Sequence, residues 1–273
     1  MEAVVQARAG RREVSRAEVA DGLRALGVRP GGVLLVHTSF RATGPVEGGP
    51  RGLVEALRDA LGPEGTLVMP SWSEEDDDVP FDPETTASSP NLGVVADTFW
   101  HLPGVLRTAH LHAFAAVGPR ARRILADPLP LPPHLPESPV GRVHEEDGGV
   151  LLLGCGHTSD TTLHLAELVG GAPYRVPRHC TILEDGRPVR LEYGENDHCC
   201  ERFALVDDWL RAEGLQREGP VGHARARLSR SRDIVRVAVE RLARDPLVFL
   251  HAPGERCEDC DAARASLAAA RGG

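Results

Sequence analysis

The sequence predicts one compact α/β unit, on three observations. Short apolar strands alternate with amphipathic helical stretches along much of the chain. The segment LLLGCGHTSDTTLHLAE at 151–167 runs from a buried strand through a Gly-Cys-Gly turn into a helix. A length of 273 residues with 41% hydrophobic content suits one large domain or two small ones around a buried core.

The elements follow in order. SRAEVADGLRALG at 15–27 predicts a capped amphipathic helix, with Ser15 as N-cap, Glu18 as capping-box partner and Gly27 as terminator. VLLVH at 33–37 predicts a short buried strand, followed by the loop TSFRATGPVEGG and a helix near Pro50–Leu61. Thr66–Pro70 predicts the next strand, completing a right-handed βαβ unit in outline. Residues 73–93 are acidic and rich in Pro and Ser, which predicts a long loop of a kind that is usually functional or disordered. DPLPLPPHLPESP at 127–139 suits neither helix nor central strand. Val150–Leu153 is the strand that enters the Gly-Cys-Gly turn, and 178–193 predicts a hairpin around Glu184-Asp185-Gly186. Helices are expected over 200–213 and 229–243, and a late strand over Leu247–His251. Residues 1–14 are expected to be disordered ahead of a single domain over 15–273, and no internal repeat is visible.

Composition excludes several function classes. A net charge of −9 argues against a nucleic-acid partner and favours a cationic one. Every basic residue is arginine, which rules out a P-loop lysine, a Schiff-base lysine and a Ser-Lys dyad. No apolar run approaches the roughly 18 residues a membrane span needs. The N-terminus carries no secretory pattern, so a cytoplasmic location without membrane partners is expected. Neither GxSxG nor HExxH occurs, which removes the commonest serine and zinc hydrolase signatures.

Two groups of residues carry chemistry. His164 and Glu167 are three apart, on one face of a helix that starts at the carboxyl edge of a strand. A histidine so placed can be a general base, with the carboxylate holding its ring; a solvated surface pair is the plain alternative. Cys257 and Cys260 form a CxxC, half of a typical zinc site. Its other half could come from Cys199, Cys200, His198, His179 or Cys180. If 195–200 is extended, Glu195 and Asp197 face one way and His198 and Cys200 the other, so His198, Cys200, Cys257 and Cys260 are the expected metal set. The ion would be a structural zinc tying the tail to the core; free thiols on a frayed tail are the alternative.

The strings LLVHTSFRATG, GTLVMPSW, PFDPETT, NLGVVADTFW, LLLGCGHTSDTTLHLAE and EGPVGHARARLSRSRDIV resemble the aminoglycoside 3-N-acetyltransferase family. VPRHCTIL, ENDHCCERFAL and the terminal CEDCDAAR resemble its apramycin-acetylating subclass. The resemblance covers nearly the whole chain from about residue 15. It implies an antibiotic N-acetyltransferase-type fold, a mixed sheet flanked by helices with a smaller lobe. It also implies a cleft shared by acetyl-CoA and a polycationic amine, with direct transfer.

Acetyl transfer needs an amine without its proton, and the resemblance puts the family's catalytic histidine at His164. Glu167 would orient it, and Thr161 or Thr162 would donate to the thioester oxygen or departing sulfur, although helix capping is their ordinary use. For coenzyme A the implied residues are Thr38, Ser39, Phe40, Arg41, Gly44, Ser71, Arg107, His110 and Thr161. The family's usual His-Pro is here His110-Leu111. For the amine the candidates are Trp72, the acidic loop at Glu74 to Asp78, with Asp76 and Asp77 foremost, and Glu195 and Asp197. Cys155, beside the active turn, is expected to be buried and not a nucleophile. An acetyltransferase for another amine, such as a biosynthetic intermediate, is the alternative function; a zinc-stabilised binding module has only the CxxC in its favour.

Overall fold

The computed structural model describes residues 10–73, 78–125 and 130–269. The first predicted helix forms as α1, Arg16–Leu26. Ser15 and Glu18 close both halves of the capping box, and Gly27 ends the helix at φ 109°. Strands β1 (Val33–Thr38) and β2 (Thr66–Pro70) flank the short helix α2 (Phe40–Thr43) and α3 (Gly49–Leu61), and pair in parallel. Then come α4 (Gly93–Trp100), β3 (Leu106–Arg107), β4 (Phe114–Val117), α5 (Ala121–Ile124), α6 (Pro139–Glu145) and β5 (Gly149–Leu153). The His164 helix is α7, Thr162–Val169. The chain continues through β6 (Val176–Glu184), β7 (Arg187–Glu195), α8 (Leu205–Ala212), β8 (Gln216–Val221), β9 (Ala224–Arg230), α9 (Ser231–Leu242) and α10 (Glu258–Ala269).

One seven-stranded mixed sheet runs in the order β3-β4-β2-β1-β5-β9-β8. β1 pairs in parallel with both of its neighbours, β2 and β5; the other pairings in this sheet are antiparallel. Strand alternation divides the core into two layers. Val33, Leu35, Val68, Val150 and Leu152 face α6, α7, α8 and α9, whereas Leu34, Val36, Leu67, Met69, Leu151 and Leu153 face α1, α3 and α4. The smaller lobe is the β6–β7 hairpin, with its own core of Phe81, Leu111, Ala113 and Cys180. Its two-residue turn, Asp185 at φ 50° and Gly186 at φ 75°, uses the left-handed region a tight hairpin requires.

Three stretches differ from expectation. Residues 216–230, given no element before the helix expected from 229, form the β8–β9 hairpin. ARARLSR alternates small buried Ala224 and Ala226 with outward arginines, and β5 supplies its pairing edge. Leu247–His251 is a turn and not a strand, held by the Asp245 carboxylate on the Leu247 N–H at 3.0 Å. Val14, expected in the disordered segment, is buried and bridges Val46. Among the described residues no helix is long and apolar enough to cross a membrane.

Candidate active site

A cavity of about 560 Å³ opens where the carboxyl ends of β1 and β5 meet the small lobe. Its wall includes His37 and Thr38 from β1, Cys155 and Thr161 from the turn after β5, and His164 from α7. Trp72, His112, His134, Tyr193, Glu195, Asp197 and Cys200 close the other sides. Gly154 makes the turn possible. It sits at φ 75°, and a Cβ there would come 2.6 Å from Ala42 Cβ, so α2 can approach only a glycine.

Glu167 is the hub of the site. It is fully buried and accepts from three groups: Tyr174 Oη, His198 Nε2 at 2.8 Å and His164 Nδ1 at 3.1 Å. Burial opposes its ionisation, but hydrogen bonds from His164 and His198 outweigh burial and hold its pKa below the ordinary 4.5. The bonds also set tautomers. The Cys200 N–H donates to His198 Nδ1 at 3.0 Å, which leaves His198 Nε2 to carry the proton given to Glu167. His164 gives its Nδ1 proton to Glu167, which directs Nε2 to the cavity side, 3.6 Å from Cys200 Sγ.

His164 is therefore a base with a fixed ring. Burial disfavours its charge, but the Cys200 sulfur and then the Glu167 carboxylate prevail and raise its pKa well above 6.5. His134 stacks on it, with ring centroids 4.9 Å apart. Burial, with the neighbouring histidines 164, 112 and 110, pushes His134 well below 6.5, so it packs as neutral imidazole. His134, Tyr193 and His112 were not foreseen as site residues, and Cys200 was expected only as a metal ligand; His134 lies inside the Pro-rich run, whose only local signal is turn.

The threonines divide. Thr161 lines the cavity, with Oγ1 3.4 Å from His37 Nε2. Thr162 is fully buried behind it, its N–H taken by Asp160 Oδ1 at 3.0 Å, so it does not face the reacting side. Thr38 Oγ1 is buried against the cavity without a hydrogen-bond partner among the described residues. Burial lifts the Cys155 thiol to about 12 and the Asp160 charge adds to this, so it stays a thiol at neutral pH.

The residues expected at coenzyme A scatter. Ser39 and Arg41 join Arg11, Arg225 and Arg227 around a shallow groove that shares Cys155 with the main cavity. Phe40 packs toward the α1 layer, and Gly44 lies under His223. Ser71 and His110 are buried outside the cavity lining, and His110 Nε2 lies 3.4 Å from Cys180 Sγ. Arg107 is spent on structure: it donates to the carbonyls of Thr86 at 2.6 Å and Ser71 at 2.7 Å, and stacks over Trp100. Arg225 and Arg227, in the string that carries the resemblance, line this groove without having been named; Arg225 pairs with Glu218, and Arg227 with Asp207 at 3.0 Å and the Cys155 carbonyl at 2.8 Å.

On the amine side, Trp72, Glu195 and Asp197 all reach the cavity. Glu195 lies 3.8 Å from both His112 Nε2 and His134 Nδ1, while Asp197 pairs with Arg178. Asp76 and Asp77, with Glu74 and Glu75, fall outside the described residues. Asp78 pairs with His179 and Arg190 and so fastens its loop to the hairpin.

The expected metal set is not brought together. His198 and Cys200 belong to the His164 cluster, while Cys257 and Cys260 converge with Cys199 and His251. Strand β7 ends at Glu195, and His198 and Cys200 do share one side, but that side faces Glu167 and His164, while Cys199 between them turns to the tail.

A family model for aminoglycoside 3-N-acetyltransferases matches residues 35–243. An aminoglycoside N(3)-acetyltransferase IV from Salmonella sp is 67% identical over 241 residues, 88% of this chain and 92% of that protein. The crystal structure of a histidine-to-alanine mutant of aminoglycoside acetyltransferase AAC(3)-IVa with apramycin superposes at TM-score 0.85 and 62% identity, covering 92% of this chain and 99% of that one. The structure of AAC-IIIb with CoASH superposes at TM-score 0.78 and 26% identity, covering 85% of this chain and 97% of that one.

Proposed function

This chain belongs to the aminoglycoside 3-N-acetyltransferase family, and we propose that it acetylates the 3-amino group of apramycin and related aminoglycosides from acetyl-CoA, in the cytoplasm. The carrying observation is the His164–Glu167 pair, with Nε2 of a ring of fixed tautomer turned to the cavity.

His164 Nε2 takes the proton from the attacking amine. Its raised pKa narrows the gap to an alkylammonium, which makes that transfer less uphill. Glu167 holds the Nδ1 proton and steadies the imidazolium that forms. Thr161 and the unpartnered Thr38 hydroxyl are placed to donate to the oxygen of the tetrahedral intermediate, and the neutral Cys155 thiol takes no part. Arg11 and Arg41 in the shallow groove offer positive charge to the phosphates of the thiol cosubstrate, while Arg225 beside them is balanced by Glu218. Trp72, Glu195 and Asp197 line the amine side, where carboxylates attract a polycation. A structural zinc ion belongs to the same reading, as a group that takes no part in the transfer.

The test is thiol release from acetyl-CoA against a panel of aminoglycosides and simple amines, with the product's acetyl position read by NMR. Turnover with apramycin and a 3-N-acetyl product is expected. Turnover confined to simple amines would favour a related acetyltransferase with another substrate.

A further inference from the structure

Outside the cleft, four ligand atoms converge between the 198–201 segment and α10. Cys199 Sγ lies 3.5 Å from His251 Nδ1 and 3.7 Å from Cys260 Sγ, and Cys260 Sγ lies 3.8 Å from His251 Nδ1. Cys257 completes the group, with all four ligand atoms within 4.8 Å of one another. A tetrahedral ion bound at about 2.3 Å to sulfur and about 2.05 Å to nitrogen would hold sulfur about 3.8 Å from sulfur and about 3.6 Å from nitrogen. The spacings among Cys199, His251 and Cys260 match those of such a cage, and Cys257 stands within reach of the fourth corner. They also exclude a disulfide between Cys199 and Cys260, which would need about 2.05 Å.

The surroundings suit an ion as well. The His251 N–H donates to Cys260 Sγ at 3.4 Å, and His251 Nε2 faces Glu201 Oε2 at 3.5 Å. A carboxylate on the far nitrogen is the usual support of a metal-bound imidazole. Three cysteines and one histidine form a closed set, typical of structural zinc and without an open position for substrate.

The site's position in the chain gives it a second consequence. Cys199 stands between His198, which donates to Glu167, and Cys200, whose sulfur lies 3.6 Å from His164 Nε2. Cys200 holds φ 59°, a conformation uncommon for a non-glycine residue. Building on the acetyltransferase reading of the cleft, we propose that Cys199, His251, Cys257 and Cys260 bind one zinc ion, and that this ion pins the 198–200 turn so that His198 and Cys200 address Glu167 and His164. The four ligands are positioning residues: through their ion they act on the turn, and the turn acts on the base.

The holoenzyme, purified without a histidine tag from zinc-replete cells, should contain about one zinc per chain. Cobalt(II) exchanged into the site should show the visible absorption of a tetrahedral thiolate complex. Cys257→Ser should lose the ion and about tenfold to a hundredfold of turnover, with the KM for acetyl-CoA changed less than about twofold, and Cys257→His should recover both ion and turnover. Wild-type protein stripped by a chelator, its fold followed by circular dichroism, covers the case in which Cys257→Ser does not fold. Its turnover should return in step with added zinc, and alkylation of Cys200, followed by mass spectrometry, should rise when zinc is removed. A metal-free wild-type protein, or one holding iron, would overturn the ion. A stripped, folded enzyme with full turnover and unchanged Cys200 alkylation would overturn the pinning. Zinc-loaded protein that acetylates no aminoglycoside would defeat the reading of the cleft, and metal content, the cobalt spectrum and Cys200 alkylation would still decide the zinc centre.

Discussion

The His164 cluster and the Cys199 cluster meet at Cys199, which His198 and Cys200 flank, and their construction is opposite. The first is organised around a buried carboxylate that accepts from three donors, and one of its rings faces a cavity. The second has three sulfurs and one imidazole, turned to one another. The difference follows from what each must do. A group that moves a proton needs a charge partner and an open face, whereas a group that ties the chain needs matched ligands and a closed one.

The comparison breaks most severely if His164 is dispensable. His164→Ala should lower turnover about a hundredfold to ten-thousandfold while acetyl-CoA affinity changes little, as read by steady-state kinetics and calorimetric titration. Near-normal turnover in the folded variant would move the base elsewhere.

Glu167→Gln keeps the shape and removes the charge. Turnover should fall about tenfold or more, and stability by about 3–5 kcal/mol, because buried donors lose an ionised partner. A denaturant titration measures the second effect.

The pH profile sharpens the contrast further. The unprotonated His164 is the working form and its pKa is raised, so kcat should climb with pH through a midpoint above 6.5. Glu167→Gln should shift that midpoint to lower pH. For stability, the His164 contribution is complete below 6.5 and is lost as pH rises through the raised folded value. The Glu167 contribution is present above 4.5 and is lost as pH falls through its depressed folded value. A rate profile flat from pH 6 upward would contradict the assignment.

Smaller effects are expected on the amine side. Glu195→Gln should weaken aminoglycoside binding more than coenzyme A binding. Asp197→Asn should matter less, because Arg178 already balances that charge. Antibiotic affinity should fall with added salt, since exposed charge is screened over about 10 Å at 0.1 M. The smallest effect belongs to Cys155→Ser, with turnover within about twofold of wild type despite its place in the cavity wall, because the thiol is not ionised. A large loss there would reopen a covalent route.

Local order was largely legible. The capping box of Ser15 and Glu18, the strands at 33–37 and 66–70, and the Asp185-Gly186 turn all depend on residues within four positions of one another, and these fold as their spacing dictates. His164 and Glu167 were legible for the same reason, since one helical turn joins them. What the sequence by itself determined is therefore most of the order of elements and the pairing of His164 with Glu167.

Tertiary structure alone decided which partners arrive from afar. His134 reaches His164 from a Pro-rich loop whose path no period describes. Arg107 turned to the carbonyls of Ser71 and Thr86, and the 216–230 hairpin exists because β5 offered it an edge. Cys199, and not Cys200, reached the tail, because the path of the chain after β7 turned that side of the segment toward His251 and Cys260. Caps and periodicity act over a single turn or pleat, but contacts between distant segments are fixed only by how the packed layers bring the backbone together.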